Sequence, residues 1–170
     1  MICYMWEAIL RAFEDSPSQE RVVRFLLENG FGVSPESKIV CNGVEIPATH
    51  IARAAGTDRR VVDATARRIL TIPELSEVFL HLRATPDISA VAESLGRTVI
   101  TVLPNDAQQK GIVGAAVNVL SEYNLSIRQI FVTDPLLSEE PKLVIVVDEE
   151  LPGVVFEKLK ALPQVRQLII

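Results

Sequence analysis

The segment GIVGAAVNVLSEYNLSIRQI, residues 111–130, decides the fold. Its first part places Ile112, Ala115, Ala116, Val119 and Leu120 on one side of a helix running from Gly111 to Tyr123. Its second part changes period. The run LSIRQIFVT, residues 125–133, alternates like a half-buried strand. Upstream, TVITVL (98–103) reads as a strand; downstream, KLVIVV (142–147) reads as another. Pro152 then opens a helix carrying Val155, Phe156, Leu159 and Leu162, and VRQLII (165–170) closes the chain as a strand. The order is β-α-β-β-α-β, which predicts a ferredoxin-like unit over residues 97–170.

Residues 1–95 follow a different grammar and predict a mainly helical domain, so that the whole chain is α+β. Met5, Trp6, Ile9, Leu10 and Phe13 recur at helical spacing. Ser16-Pro17-Ser18-Gln19 has the form of a capping box with proline at the first helical position. Val22, Val23, Leu26 and Leu27 give that helix its apolar face, and Gly30 stops it. Asn42-Gly43 between Ile39-Val40-Cys41 and Val44-Glu45-Ile46 signals a hairpin, because both turn positions must accept positive φ. After Pro47, a short segment of small residues runs to Gly56. Thr57 is placed to cap a second helix over residues 58–70. That spacing is helix–turn–helix, with Gly56 at the left-handed turn. Residues 71–82 read either as a helix from Pro73 to about Leu82 or, over 78–82, as a wing-like strand. Thr85-Pro86 opens a further short helix ending near Gly96.

The composition removes several classes of function. The chain has 170 residues, 48% of them hydrophobic, and a formal net charge of -5. It is too apolar to be disordered and long enough to bury a core without staples. The two cysteines, Cys3 and Cys41, lie far apart, exclude a disulfide framework and a four-cysteine zinc site, and point to a reducing, cytoplasmic setting. No apolar run reaches the roughly 18 residues of a membrane span, and Glu7 without a basic flank argues against a signal peptide. Nucleophile-elbow, phosphate-loop, dinucleotide and zinc-protease motifs are absent, and the histidines are His50 and His81 alone. The sequence therefore predicts no catalytic residues, no metal, no cofactor and no enzyme.

Charge singles out the helix–turn–helix. Residues 47–70 hold five arginines against two aspartates, a net +3, whereas residues 1–95 together hold ten basic and thirteen acidic side chains. A locally basic second helix suits phosphate contact, and Arg59, Arg60, Arg67 and Arg68 are its candidate DNA-binding residues. The other reading is a solvated helix face used for packing or dimerisation. In the second half, the third strand lacks the aromatics that RNA-binding modules of this topology use for stacking.

With these residues in view, the second half resembles an ACT domain, the small regulatory module that commonly binds amino acids. The likeness rests on TVITVL, Pro104-Asn105-Asp106, the 111–130 string, Asp134-Pro135 and LPQVR at 162–166. With the helical first half, the chain resembles a prokaryotic family of predicted amino-acid-metabolism regulators. The resemblance implies homodimers and a small effector, an amino acid, at the loop between the first strand and first helix. Asn105, Asp106, Lys110, Gly111, Ile112 and Val113 are the residues it marks. Gly111 admits close backbone approach, the free N–H groups after it suit a carboxylate, and Asn105 and Asp106 suit an ammonium. ACT domains usually carry proline before that glycine; Lys110 stands there instead and adds a positive charge. The alternative function is an interaction module that dimerises and regulates a biosynthetic enzyme without touching DNA.

Overall fold

The computed structural model describes residues 8–9, 11–134, 138 and 140–170. Met5, Trp6 and Leu10 of the first apolar stripe fall outside them, as do Pro135, Leu136, Leu137 and Glu139. The chain is α+β and forms two compact units, residues 1–85 and 86–170.

The first unit is mainly helical. Helix α1 (Pro17–Asn29) begins with proline and buries Val22, Val23, Leu26 and Leu27. Ser16 stands at its N-cap but makes no side-chain cap bond, so the expected capping box does not form. The Gln19 carboxamide is committed elsewhere, accepting from Arg68. At the other end Gly30 (φ 67°) lets Phe31 N–H close onto the Leu26 carbonyl at 2.8 Å. Strands β1 (Gly32–Val33), β2 (Ile39–Cys41) and β3 (Val44–Glu45) follow as an antiparallel sheet in that order. Asn42 (φ 50°) and Gly43 (φ 87°) form the two-residue turn that their pair of residue types predicts. The Asn42 side chain also donates to and accepts from the backbone of Ala84, at 3.0 Å each way.

Helices α2 (Ala48–Ala54), α3 (Arg59–Thr71) and α4 (Pro73–His81) complete this unit. Residues 78–81 are therefore helical, because proline at the first position starts α4 and Leu75 and Phe79 bury its inner face. Ile9, Phe13, Val22, Val62, Ile69 and Phe79 are all essentially inaccessible and belong to the core.

The second unit starts with two 3-10 turns, Ser89–Val91 and Glu93–Leu95, in place of the single short helix expected there. Asp87 starts the first by accepting from Ser89 N–H at 2.8 Å, and this bonding to Ser89 holds its carboxyl below the usual carboxylate range. Gln129 fixes the chain ahead of them, donating to the Pro86 carbonyl at 2.6 Å and accepting from Ile88 N–H at 2.9 Å. The remaining order is β4 (Thr98–Pro104), α5 (Ile112–Glu122), β5 (Ile127–Val132), β6 (Leu143–Val147), α6 (Gly153–Lys160) and β7 (Val165–Ile169). The sheet runs β5-β6-β4-β7, all antiparallel, which is the ferredoxin-like arrangement. Ala116, Val119 and Leu120 of α5 and Val155 and Leu159 of α6 pack on Ile100, Val102, Leu143, Ile145 and Val147. A register shift between Ile127 and Gln129 marks a bulge, and there Arg128 reaches Asp148. Asp148 also pairs with Arg97 at 3.1 Å, so one carboxylate ties the ends of three strands.

Gly32 presses against α4: a Cβ on it would lie 2.6 Å from the Phe79 carbonyl oxygen, a backbone atom that cannot swing away. Gly32→Ala is expected to destabilise the first unit by about 1–3 kcal/mol through forced backbone displacement. Urea denaturation checks this; an unmoved midpoint would show that α4 yields freely.

Candidate nucleic-acid interface and ligand loop

The helix–turn–helix is built by a closed C-terminus followed by an open N-terminus. Helix α2 ends with Thr57 N–H on the Ala52 carbonyl at 2.9 Å and Gly56 N–H on that of Arg53 at 3.4 Å. Gly56 stands between them at φ 63°, where a Cβ would be strained even in open space. Thr57 is thereby used in closing α2. The cap of α3 is instead Asp58, whose Oδ1 accepts from Arg60 N–H at 2.7 Å.

Helix α3 buries Val62, Thr65, Ala66 and Ile69, and the Thr65 hydroxyl is satisfied by the Val61 carbonyl at 2.7 Å. The four arginines expected on its basic face separate into two groups. Arg59, Arg60 and Arg67 are exposed, with Arg59 in a loose pair with Asp63 at 3.4 Å. Such an exposed pair contributes little and leaves the guanidinium available. Arg68 points to the opposite task. It pairs with Asp15 at 3.0 Å, donates to Gln19 at 3.0 Å and lies 4.9 Å from the Phe13 ring centroid. It stitches α3 to the segment ahead of α1. Asp15 and Gln19 are thus neighbours of α3 that spacing along the chain does not reveal, since Gln19 and Arg68 lie 49 positions apart.

The loop after β4 gathers the other expected residues. Asn105 N–H donates to the Gln164 carbonyl at 2.8 Å, and its side-chain amide donates to that of Pro163 at 3.0 Å. Two of the sequence strings quoted above, Pro104-Asn105-Asp106 and LPQVR, therefore meet in space. Asp106 folds the next turn, with Oδ1 accepting from Gln108 N–H at 2.9 Å. Gly111 (φ 92°) enters α5 in a conformation that L side chains rarely adopt, and no side chain caps that helix. Asn105, Asp106, Lys110 and Gly111 are exposed, whereas Ile112 and Val113 are half-buried and lean on the core of their unit. The Gln164 amide oxygen, behind Asn105, is buried without a hydrogen-bond partner.

Beside this loop lies a recess of about 20 Å³ lined by Pro104, Ala107, Ile112, Val132 and Thr133, among others. That is room for roughly one water, and far less than an amino acid needs. Among the described residues no group of three or more histidine, cysteine or carboxylate side chains is arranged to hold a metal ion. No helix among them is long and apolar enough to cross a membrane.

No protein-family model matches the chain, and no curated protein matches it. Among solved structures, the crystal structure of an AsnC family transcriptional regulator from Agrobacterium tumefaciens overlaps 91% of this chain and 86% of its own. The TM-score is 0.30 and the identity 15%, a likeness too slight to bear on function.

Asn105→Ala removes the side-chain clasp on Pro163 while leaving the backbone bond to Gln164. It is expected to cost the second unit about 0.5–1.5 kcal/mol. Chemical denaturation, together with amide exchange at Gln164 and Val165, checks both the size and the place of the loss.

Proposed function

We propose that this protein is a ligand-responsive DNA-binding regulator. The observation that carries the reading is the outward row Arg59, Arg60 and Arg67 on α3, the second helix of a helix–turn–helix closed by Gly56 and capped by Asp58. A helix held by its buried face, with cations on the other, is suited to lie against phosphates. Arg68, engaged with Asp15, Gln19 and Phe13, supports the helix rather than the contact.

In this reading the second unit is an ACT-like sensor. Its effector is a small metabolite, an amino acid, taken at Asn105, Asp106, Lys110 and Gly111 with Ile112 and Val113 as its apolar floor. The recess within one chain is too small, so a second copy completes the site. Support comes from the neighbouring edge: among the described residues β5 has no partner on its outer side, and Val132, which lines the recess, is 60% exposed. An unpaired apolar edge is a template for association, and a twofold partner there would add the missing wall. Switching requires that the effector bind two arrangements of the chain with different affinity.

Two measurements test the two halves. Fluorescence anisotropy with a duplex DNA library across a salt series reports phosphate contacts, each worth about 0.9 in the log–log slope. Replacing Arg59, Arg60 and Arg67 together by alanine is expected to reduce that slope by about 2–3. An unchanged slope would take α3 out of the interface, and absence of DNA binding in the parent chain would favour the enzyme-docking alternative. Thermal shift against the standard amino acids tests the sensor. A ligand at a hundred times its dissociation constant adds about 2.7 kcal/mol to the folded state. Gly111→Asp is expected to remove that stabilisation without unfolding the chain; retained affinity would displace the site from this loop.

A further inference from the structure

A cleft of the first unit lies between the small sheet and α3, with about 210 Å³ of space. At roughly 30 Å³ of liquid per water, that is the room of about seven waters, the bulk of a small metabolite. It contrasts with the one-water recess beside the 105–113 loop. Ile39, Val62 and Ala66 lie beneath it and are 3%, 0% and 1% exposed, so its floor rests on the core and its accessible lining is mainly polar. Its polar lining balances in charge, with Lys38 and Arg59 against Glu45 and Asp63.

The two charge pairs are not equivalent. Arg59 and Asp63 compensate each other along α3 at 3.4 Å. The Lys38 ammonium and the Glu45 carboxylate have no hydrogen-bond or ion-pair partner among the described residues, although both line the same cleft. They are held in place by the register of the sheet. Glu45 pairs with Val40 across β2 and β3, and Lys38 immediately precedes β2, with its carbonyl accepting from Ser34 N–H at 2.7 Å. A cation and an anion, each unengaged, flanking a cleft of this size complement a small molecule that carries both charges. Two charge-assisted hydrogen bonds would fix its orientation.

We infer that this cleft is a binding site for a small zwitterion of the α-amino-acid class, with Lys38 receiving the carboxylate and Glu45 the ammonium. The site is separate from the loop at 105–113 and goes beyond the sensor reading above, since it lies wholly in the helix–turn–helix unit. A ligand there would rest against Arg59 and Asp63 of α3.

The test is amide NMR of the full chain, titrated in turn with each standard amino acid. The expected result is a saturable shift at Lys38, Glu45, Thr49 and Asp63 with one or a few of them. Lys38→Gln and Glu45→Gln, both surface changes that leave the floor intact, are each expected to weaken that binding by tenfold or more. Gly111→Asp is expected to leave it unchanged, which separates this site from the loop site. Shifts confined to residues 105–113, no shifts in the cleft with any amino acid, or undiminished affinity in both glutamine variants would each overturn the assignment.

Discussion

Strand β6 imposes the strongest constraint on the second unit, because all five of its residues, Leu143 to Val147, are buried. A strand with no exposed face demands cover on both sides of the sheet. Leu143, Ile145 and Val147 receive it from α5 and α6. Val144 and Val146 face the other way, on the side of Gln129, whose register partner is Val146. Gln129 in turn holds Pro86 and Ile88 through both ends of its carboxamide. The residues that begin this unit are thereby fixed to the sheet they help to cover. Burial of five aliphatic side chains stabilises by roughly 1.5–3 kcal/mol each, which makes β6 the element around which the others must arrange.

The first unit depends on close backbone approaches rather than on a large sheet. Gly30 and Gly32 sit within touching distance of the chain at Phe79, Arg83 and Ala84, and Asn42 grips Ala84 from the hairpin. These contacts hold the small sheet and α4 together. Helix α3 is held from the other side by Arg68, whose guanidinium is shared among a carboxylate, a carboxamide and a ring. Arg59, Arg60 and Arg67 face solvent, with Arg59 in its loose pair with Asp63. One arginine of the four is used for packing, and three stay on the exposed side of the helix.

The two candidate ligand regions differ in what they still require. The loop at 105–113 has backbone geometry for a ligand, but its neighbouring recess holds about 20 Å³ and needs a further wall. The cleft beside α3 is walled within one chain, with unengaged charges at its edge. The physical distinction is between a site completed by association and one completed by folding. Concentration dependence of ligand affinity is the signature of the first and is absent from the second.

Much of this was written locally in the sequence. The period change within residues 111–130, the Asn42-Gly43 turn and Gly56 each act through a few neighbouring residues, so composition and spacing suffice to read them. The order of strands and helices in the second unit follows from the same signals. Other features depend on partners far along the chain. Thr57 has the chemistry of a cap, but its N–H closes α2 and the next helix starts at Arg59, so the cap is Asp58. Gln19 completes the pattern of a capping box yet turns to Arg68. Arg68 looks like its three neighbours until Asp15 and Phe13 are brought beside it. The cleft by α3 has no sequence signature, because Lys38, Glu45 and Asp63 become neighbours only when the sheet docks on the helix. Sequence alone determined periodicity, turn chemistry and charge, which are local properties. Tertiary structure decided which polar side chains are consumed in holding the fold and which remain free to bind, because that choice is made by long-range contacts.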